Sequence, residues 1–335
     1  MLSGNEVFVL GAGFSAAVSD GVMPITSELS ERVRDHESLA ETAFKKIEEK
    51  VGKRGFEGVL DSLTVHAPWR TKSQRLRYQA LFADVVEVVD ECIGKAEEET
   101  RQGPLDPLLR ALVVHWRTHR STVVTFNYDV LIEAAYSEVI GVKPVNERNP
   151  LAYSDLYPIG VEPAPGRAVS LFGGERDMDA FNLLKLHGSR TLATPASSTT
   201  RTDTTYAQTM IRGWEIQPDD AYPDHFVGDL ETLIMPPTSI KSEYVGNNII
   251  DHMWKRAHLA LRDADHIIII GYSLPEADLL VRLMLQDSIH ERTPRITVVD
   301  RDIDKRIKEH YENSLDRTVN GFKSLNEFMQ AANLT

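Results

Sequence analysis

The chain has 335 residues, 42% hydrophobic and 26% charged, which is the composition of a globular protein with one large domain or two modest ones. Its 37 Lys and Arg residues against 50 Asp and Glu residues give a net charge of -13, which disfavours direct binding to nucleic acid or anionic membranes. The single cysteine, Cys92, excludes an internal disulfide and a four-cysteine zinc site, and we expect it to be buried. The sequence shows no leader-like N-terminus and no apolar run near the roughly 20 residues that span a bilayer, so we expect a cytoplasmic protein.

The first predicted element is a buried strand, Val7–Leu10, and a glycine-rich turn leads from it into a helix. The turn consists of Gly11, Ala12, Gly13, Phe14 and Ser15. Such a turn can hold a dinucleotide pyrophosphate, because glycines let backbone N–H groups approach the phosphates and the helix N-terminus is partially positive. The Ser15 hydroxyl adds a polar group that can reach a phosphate. A tight strand–helix turn that binds no ligand is the alternative.

The turn lacks the partner that a hydride-transferring enzyme needs. In those enzymes a second strand ends in an acidic residue about 20 positions after the glycines. Here Glu28 and Glu31 stand near that distance, and both lie in a helical pattern. The sequence therefore disfavours a standard dehydrogenase.

A long helical tract, about residues 25–118, separates the first two predicted strands. Apolar residues recur in it at spacings of three and four, which is typical of amphipathic helices. The predicted helices are Ser27–Arg34, Leu39–Val51, Gly58–Val65, Gln74–Ala96 and Pro107–Thr118. We interpret the tract as an insertion that packs beside a nucleotide-binding core of residues 1–24 and 119–320, all within a single domain spanning 1–335.

His115 and His119 are four residues apart in the last of these helices. That spacing puts both imidazoles on one face, where they could be two ligands of a metal ion. The sequence indicates no third metal ligand for this pair, so we predict a solvated helix face and no metal site.

The second predicted strand, Thr122–Thr125, runs directly into the sequence Thr125-Phe-Asn-Tyr-Asp129. Groups just past the carboxyl end of a parallel strand point into the ligand crevice of such a sheet. Asn127 can donate and accept hydrogen bonds without charge, which suits the positioning of a water or a ribose hydroxyl. For Asp129 two roles stay open: a helix N-cap, or recognition of a carboxamide such as nicotinamide.

Residues 141–181 are rich in Pro, Gly and polar residues and predict an irregular loop region. A short extended segment, Asn182–Leu186, then leads to His187 and Gly188. A histidine that ends a strand can exchange a proton with a ribose hydroxyl or a water, and a glycine beside it permits close ligand approach. Residues 192–206 are polar and of low complexity, which indicates a mobile loop.

Three further extended segments follow, Thr232–Met235, Ile267–Ile270 and Ile296–Val299. The second of them repeats the strand–glycine–hydroxyl–helix layout with Gly271, Tyr272 and Ser273, which could contact phosphate or ribose. The third ends in Asp300, which could accept hydrogen bonds from both hydroxyls of an adenosine ribose or simply cap the next helix.

These six apolar segments predict an α/β fold: a Rossmann-like, doubly wound parallel sheet with a large helical insertion. A terminal helix is expected over Ser324–Ala332.

The ordered motifs resemble those of the sirtuin superfamily, and more closely those of its bacterial sirtuin-like NADase branch. The match runs from residue 6 to about residue 300. The segments that carry it are Gly11-Ala-Gly-Phe-Ser15, Gly21-Val-Met-Pro24, Thr125-Phe-Asn-Tyr-Asp129, His187-Gly188 and Gly271-Tyr-Ser273. Deacylase sirtuins carry a zinc module with two Cys-x-x-Cys pairs, which one cysteine cannot supply. Their Asp-Phe-Arg after the Gly-x-Pro is here Ile25-Thr-Ser27.

The resemblance implies hydrolysis of NAD+ to nicotinamide and ADP-ribose, as in anti-phage effectors that deplete NAD+. It assigns catalysis to Asn127 and His187, with NAD+ as the substrate and no metal. Activation by homo-oligomerisation or by a partner chain, such as a helicase-type ATPase or a short Argonaute, follows by the same analogy. The alternatives are a non-catalytic NAD or ADP-ribose sensor and, disfavoured by the missing zinc module, a protein deacylase or ADP-ribosyltransferase.

Overall fold

The computed structural model describes residues 4–40, 44–51, 55–65, 67–141, 156–157, 162–163, 180–195, 206–207, 230–235, 248–276, 278–290 and 292–334. The strands are β1 (Glu6–Leu10), β2 (Thr122–Thr125), β3 (Glu162–Pro163), β4 (Asn182–Lys185), β5 (Gly188–Pro195), β6 (Tyr206–Ala207), β7 (Leu230–Ile234), β8 (His266–Ile270), β9 (Arg295–Val299) and β10 (Asn320–Phe322). The helices are α1 (Ala12–Ala17), α2 (Thr26–Arg34), α3 (Glu37–Ala40), α4 (Phe44–Val51), α5 (Gly55–Thr64), α6 (Lys72–Gln102), α7 (Pro107–His119), α8 (Leu131–Val139), α9 (Asn248–Arg262), α10 (Leu279–His290), α11 (Lys308–Leu315) and α12 (Leu325–Ala332), with a π-helical turn at Ile303–Ile307.

Within the described residues, six parallel strands form the main sheet in the order β10-β9-β8-β1-β2-β4, flanked by helices. From β1 the chain proceeds to β2 and β4 in one direction, and from β8 it proceeds to β9 and β10 in the other. The strand order therefore reverses between β1 and β8. In doubly wound sheets the ligand crevice lies at this switch point, beyond the carboxyl ends of the strands.

The predicted fold class is confirmed, with one error in the choice of strands. Thr232–Met235 does not join the main sheet, because β7 pairs with β5 in a separate sheet of order β3-β6-β5-β7 among the described residues. The edge position of the main sheet belongs instead to β10, which pairs in parallel with β9. The predicted terminal helix is confirmed as α12.

Helices α2 to α7 lie between β1 and β2, where the helical tract is predicted. The longest, α6, has 31 residues and begins at a reciprocal cap: the Thr71 Oγ1 accepts from the Gln74 backbone N–H at 3.2 Å, and the Gln74 Oε1 accepts from the Thr71 N–H at 2.9 Å. The helix predicted over Leu39–Val51 corresponds to α3 and α4, and residues 41–43 lie outside the described residues. Cys92 is buried in α6, as predicted. The division into core and insertion stays a prediction.

The predicted solvated face at His115 and His119 is wrong for His115. The imidazole Nε2 of His115 lies 2.8 Å from the Oε2 of Glu6 on β1, and both side chains are buried. A buried carboxylate needs such a partner, so the pair fastens α7 to the first strand. His119 is exposed, with its ring centroid 4.2 Å from that of His115.

Parts of the two predicted loop regions are strands. Residues 192–195 belong to β5, and residues 206–207 form β6; residues 196–205 lie outside the described residues. Most of 141–181 also lies outside them, although β3 falls within that range. None of the described helices is both long and apolar enough to cross a membrane.

Candidate functional site

A cavity of about 800 Å³ lies at the switch point, where the turns after β1 and β8 meet. Ligand pockets are typically about 300–1,000 Å³ and occur at this position in α/β folds. The sequence-predicted residues that line it are Gly11, Ala12, Gly13, Ser15, Asn127, Asp129, His187, Gly271, Tyr272, Ser273 and Asp300. Distant parts of the chain thus contribute to one space. The helical tract contributes too, through Glu57 of α5 and Ile93 of α6.

The two glycine turns pack directly against each other. The N–H of Gly13 donates to the carbonyl oxygen of Gly271 at 2.9 Å, and the N–H of Gly11 donates to that of Ile270 at 3.0 Å. A Cβ at Gly11 would lie 2.6 Å from the Gly271 oxygen, and one at Gly13 would lie 2.9 Å from the Gly271 Cα. The glycine N–H groups are therefore used between the turns. The approach of other backbone N–H groups of the turns to a phosphate stays a prediction.

Two predicted binding residues lie apart from the cavity wall. Phe14 is fully buried in the core, with its ring centroid 6.3 Å from that of Trp116. Gly188 has a φ of +82°, and a Cβ there would lie 2.0 Å from the carbonyl oxygen of Leu233. Gly188 is therefore required by the close approach of β7 to β5. From the sequence, the close approach of a ligand was expected here.

Ser15, Asn127 and Asp129 form a hydrogen-bonded chain in the cavity wall. The Asn127 Nδ2 donates to the Ser15 Oγ at 2.8 Å and to the Gly11 carbonyl oxygen at 2.9 Å. The Ser15 Oγ in turn donates to the Asp129 Oδ2 at 2.6 Å. Because both N–H bonds of the Asn127 amide are used, the group that the amide can offer a ligand is its oxygen, an acceptor. Ser15 thus orients Asn127, a role that the sequence did not reveal.

Asp129 contacts the start of α8, and its recognition of a carboxamide stays a prediction. Its Oδ1 accepts from the Leu131 backbone N–H at 3.2 Å, although the N-cap position of α8 is Val130. Burial raises the pKa of Asp129, although the Lys185 ammonium and the Ser15 hydroxyl act in the opposite direction. Its carboxylate also borders the cavity.

A buried polar network supports this wall from behind. Lys185 donates to the Asp129 carbonyl oxygen, to the Glu133 Oε1 at 2.8 Å and to the Ser189 Oγ at 3.0 Å. Tyr157 donates to the same Glu133 oxygen at 2.8 Å. Since Lys185 and Glu133 are only 1% and 0% exposed, their charges depend on each other for compensation.

Helix α6 reaches the same wall through Glu97. The Glu97 Oε1 accepts from the Val130 backbone N–H at 2.9 Å, one residue after Asp129. Its Oε2 accepts from the Arg190 Nε on β5 at 3.2 Å. Burial raises the pKa of Glu97 to about 7, with Arg190 acting to lower it. The helical tract is therefore tied to the loop that carries Asn127.

His187 lies buried among aromatic rings at the cavity wall. Its ring centroid is 5.0 Å from that of Phe126 and 6.4 Å from that of Trp254, whose indole N–H donates to the Leu186 carbonyl oxygen at 3.1 Å. The Nε2 of His187 lies 3.8 Å from the Oδ1 of Asp278, which is also in the cavity wall. No role is predicted for Asp278 from the sequence, because its proximity to His187 depends on the crossing of two distant segments.

The far end of the cavity, beyond β9, carries charges of both signs. Asp300 lies there, and its Oδ1 accepts from the Asp302 backbone N–H at 2.8 Å, the turn-capping role that the sequence left open. Arg301, Arg306 and Lys323 also border the cavity. These cations were not predicted, since nothing in the local sequence distinguishes them from other exposed basic residues. Lys323 pairs with Asp304, and the Arg301 Nε lies 3.9 Å from the Asp302 Oδ2, so these cations form a local basic patch in a chain of negative net charge.

No protein-family model and no curated protein matches the chain. Among solved structures, the chain is similar to a crystal structure of Sir2 in complex with the inhibitor EX-527, 2'-O-acetyl-ADP-ribose and a deacetylated p53 peptide. The identity is 12%, the alignment covers 99% of this chain and 95% of that chain, and the TM-score is 0.39.

Proposed function

We propose that the protein is an NAD+ glycohydrolase, which cleaves NAD+ to nicotinamide and ADP-ribose in the cavity between the two glycine turns. The observation that carries the proposal is that Asn127 and His187 border the same cavity as both glycine turns. The sequence motifs that resemble the sirtuin-like NADase branch contain these same residues. A buried amide and a buried imidazole beside a dinucleotide-sized space suit cleavage at a ribose.

In the proposed complex, the ADP half of NAD+ lies over the two turns towards β9. Asp300 would accept hydrogen bonds from the adenosine ribose, and Arg301, Arg306 and Lys323 would offset the charge of the pyrophosphate. The nicotinamide ribose would lie near Asn127, whose amide oxygen can accept a hydrogen bond from a ribose hydroxyl or from the attacking water. The rings of Phe126 and Tyr272, 4.5 Å apart, would form an apolar wall beside it.

In the proposed reaction, the bond between the ribose C1′ and the pyridinium nitrogen breaks, and its electron pair neutralises the pyridinium to give nicotinamide. Water adds to the oxocarbenium-like C1′ to give ADP-ribose. The proton of that water passes to His187, directly or through a ribose hydroxyl, and then to solvent. One water is consumed and one proton is released for each NAD+ cleaved.

The cellular role that we propose is depletion of NAD+ in anti-phage defence. It rests on the motif resemblance alone, as does control by homo-oligomerisation or by an activating partner such as a helicase-type ATPase or a short Argonaute. Unregulated cleavage of NAD+ would harm the host cell. The purified chain is therefore best assayed both alone and together with the products of neighbouring genes.

We expect the wild-type protein to release nicotinamide and ADP-ribose from NAD+ in equal amounts, as followed by chromatography over time. His187→Ala should lower the rate by about 10²- to 10⁴-fold, the range of general-base catalysis, and Asn127→Ala should abolish detectable release. Circular dichroism should show both variants folded.

Two outcomes would count against the proposal. Full activity in both variants would remove Asn127 and His187 from the reaction. Binding of NAD+ in calorimetry without any product, with all neighbouring gene products present, would favour a sensor over an enzyme.

A further inference from the structure

We propose that Asp278 is the positioning residue of His187: it holds the imidazole by its Nε2 edge and stabilises the imidazolium that forms when His187 takes up a proton. The role of Asp278 in catalysis rests on the proposed function. The effect of Asp278 on His187 does not, because it concerns a contact between two side chains of the resting protein.

The two carboxylate oxygens of Asp278 face different side chains among the described residues. The Oδ2 accepts a hydrogen bond from the Tyr272 hydroxyl at 2.8 Å, while the Oδ1 lies 3.8 Å from the His187 Nε2. The second distance is within ion-pair range and longer than a hydrogen bond, so the interaction strengthens when the imidazole becomes charged. Burial and the neighbouring Asp278 carboxylate raise the pKa of Tyr272 well above its usual value, which keeps Tyr272 a hydrogen-bond donor.

The loop that carries Asp278 is held in a strained conformation by its surroundings. Leu274, fully buried, has a φ of +52°, in the left-handed region that is costly for a branched side chain. Its carbonyl oxygen lies 2.8 Å from the His310 Nε2, and the Tyr311 hydroxyl donates to the Tyr272 carbonyl oxygen at 2.5 Å. Helix α11 thus fixes the first part of the segment that follows β8, at Tyr272 and Leu274. A fixed path is what a positioning residue requires, since a mobile carboxylate would lose its geometry.

The described surroundings of His187 include two aromatic rings beside the Asp278 carboxylate. Phe126 after β2 and Trp254 on α9 make ring contacts with His187. The other acidic and basic side chains in the described cavity wall are Glu57, Asp129, Asp300, Arg301, Asp302, Arg306 and Lys323. Among the described residues, only Asp278 has a carboxylate within 4 Å of the imidazole nitrogens. Because Asp129 bonds to Ser15 and Leu131, its oxygens are directed to other partners.

The sharpest test is a direct titration of His187 by NMR in the full-length protein, with the imidazole Cε1–H signal assigned by its loss in His187→Gln. In Asp278→Asn the carboxylate charge is removed while the size of the side chain is kept. An opposite charge at this distance shifts a pKa by about 1 to 3 units, so the pKa of His187 should fall by that amount. Asp278→Glu keeps the charge, so the pKa of His187 should stay closer to its wild-type value than in Asp278→Asn.

The matched control is Asp263→Asn, the same chemical change at an exposed site just before the opposite end of β8. Asp263 pairs with the adjacent Arg262 at 3.0 Å, and its replacement should leave the His187 titration unchanged. An unchanged His187 pKa in Asp278→Asn, with the Asp278→Glu titration also like the wild type, would overturn the proposal. Equal shifts in Asp278→Asn and Asp278→Glu would overturn it as well, because a lost packing contact would then explain both.

Nicotinamide release tests the catalytic meaning separately. We expect the acid limb of the pH dependence of kcat/KM to move to lower pH in Asp278→Asn, because the free enzyme's base loses its protonated form more readily. The limiting rate should fall by less than in His187→Ala. Absence of release in the wild-type protein would count against the proposed function, whereas the NMR titration would still decide whether Asp278 acts on His187.

Discussion

Gly271→Ala is expected to destabilise the protein by at least about 3 kcal/mol, far more than Gly141→Ala. Both glycines have positive φ, +62° and +74°, so alanine carries the left-handed backbone cost of about 1–2 kcal/mol at either position. Only at Gly271 would the new Cβ also meet backbone, at 2.2 Å from the Phe14 nitrogen and 2.3 Å from the Gly13 carbonyl carbon. Backbone atoms cannot rotate away, so the two glycine turns must separate.

The comparison with Gly141→Ala isolates that close approach, since a Cβ at Gly141 has no atom within 4 Å among the described residues. Urea denaturation of the two variants measures the difference in free energy of unfolding. We also expect Gly271→Ala to lose NAD+ binding, because the turns form the floor of the cavity. Equal stabilities of the two variants would mean that the turns are not in contact as described.

Lys185→Met is expected to lower the free energy of unfolding by about 3–5 kcal/mol. Removal of one partner of a buried ion pair leaves the other charge without compensation, and here that charge is Glu133, which is fully buried. The Glu133 Oε2 already lacks a hydrogen-bond partner among the described residues. Without the ammonium, Asp129 also loses the nearest cation that favours its ionised form.

The double variant Lys185→Met/Glu133→Gln is the matched control. It removes both charges, and an uncharged pair of similar volume is often nearly neutral for stability. We expect the double variant to be more stable than Lys185→Met alone in urea denaturation. If the second substitution further destabilises the protein, the cost at Lys185 arises from packing, and the account of the network is wrong.

The main strands were predictable from the sequence because parallel strands that are buried on both faces are continuous apolar runs. The runs ending at Leu10, Thr125, Ile270 and Val299 follow this rule. The choice of pairing partner is not a local property, which is why Thr232–Met235 was assigned to the wrong sheet. Strand β10 gave no signal, since Asn320 and Gly321 are exposed at the edge.

Residues of the candidate site could be predicted from the sequence where they directly follow a strand. The contacts between their side chains could not. Asn127, His187 and Asp300 each stand just past a strand, and a parallel sheet brings such positions to one edge. The hydrogen bond from Ser15 to Asp129 and the proximity of Asp278 to His187 depend on how distant segments cross. The same limit explains His115, whose partner Glu6 lies on another element.

The central claim, that the cavity between the two glycine turns is an NAD+ site, is tested most directly by a crystal structure of the His187→Ala variant with NAD+. The variant should slow cleavage enough for the intact dinucleotide to be observed. We expect the ADP half across the turns at Gly11 and Gly271, the adenosine ribose at Asp300, and the nicotinamide ribose beside Asn127. A dinucleotide bound elsewhere, or a cavity that stays empty at saturating NAD+, would contradict the account.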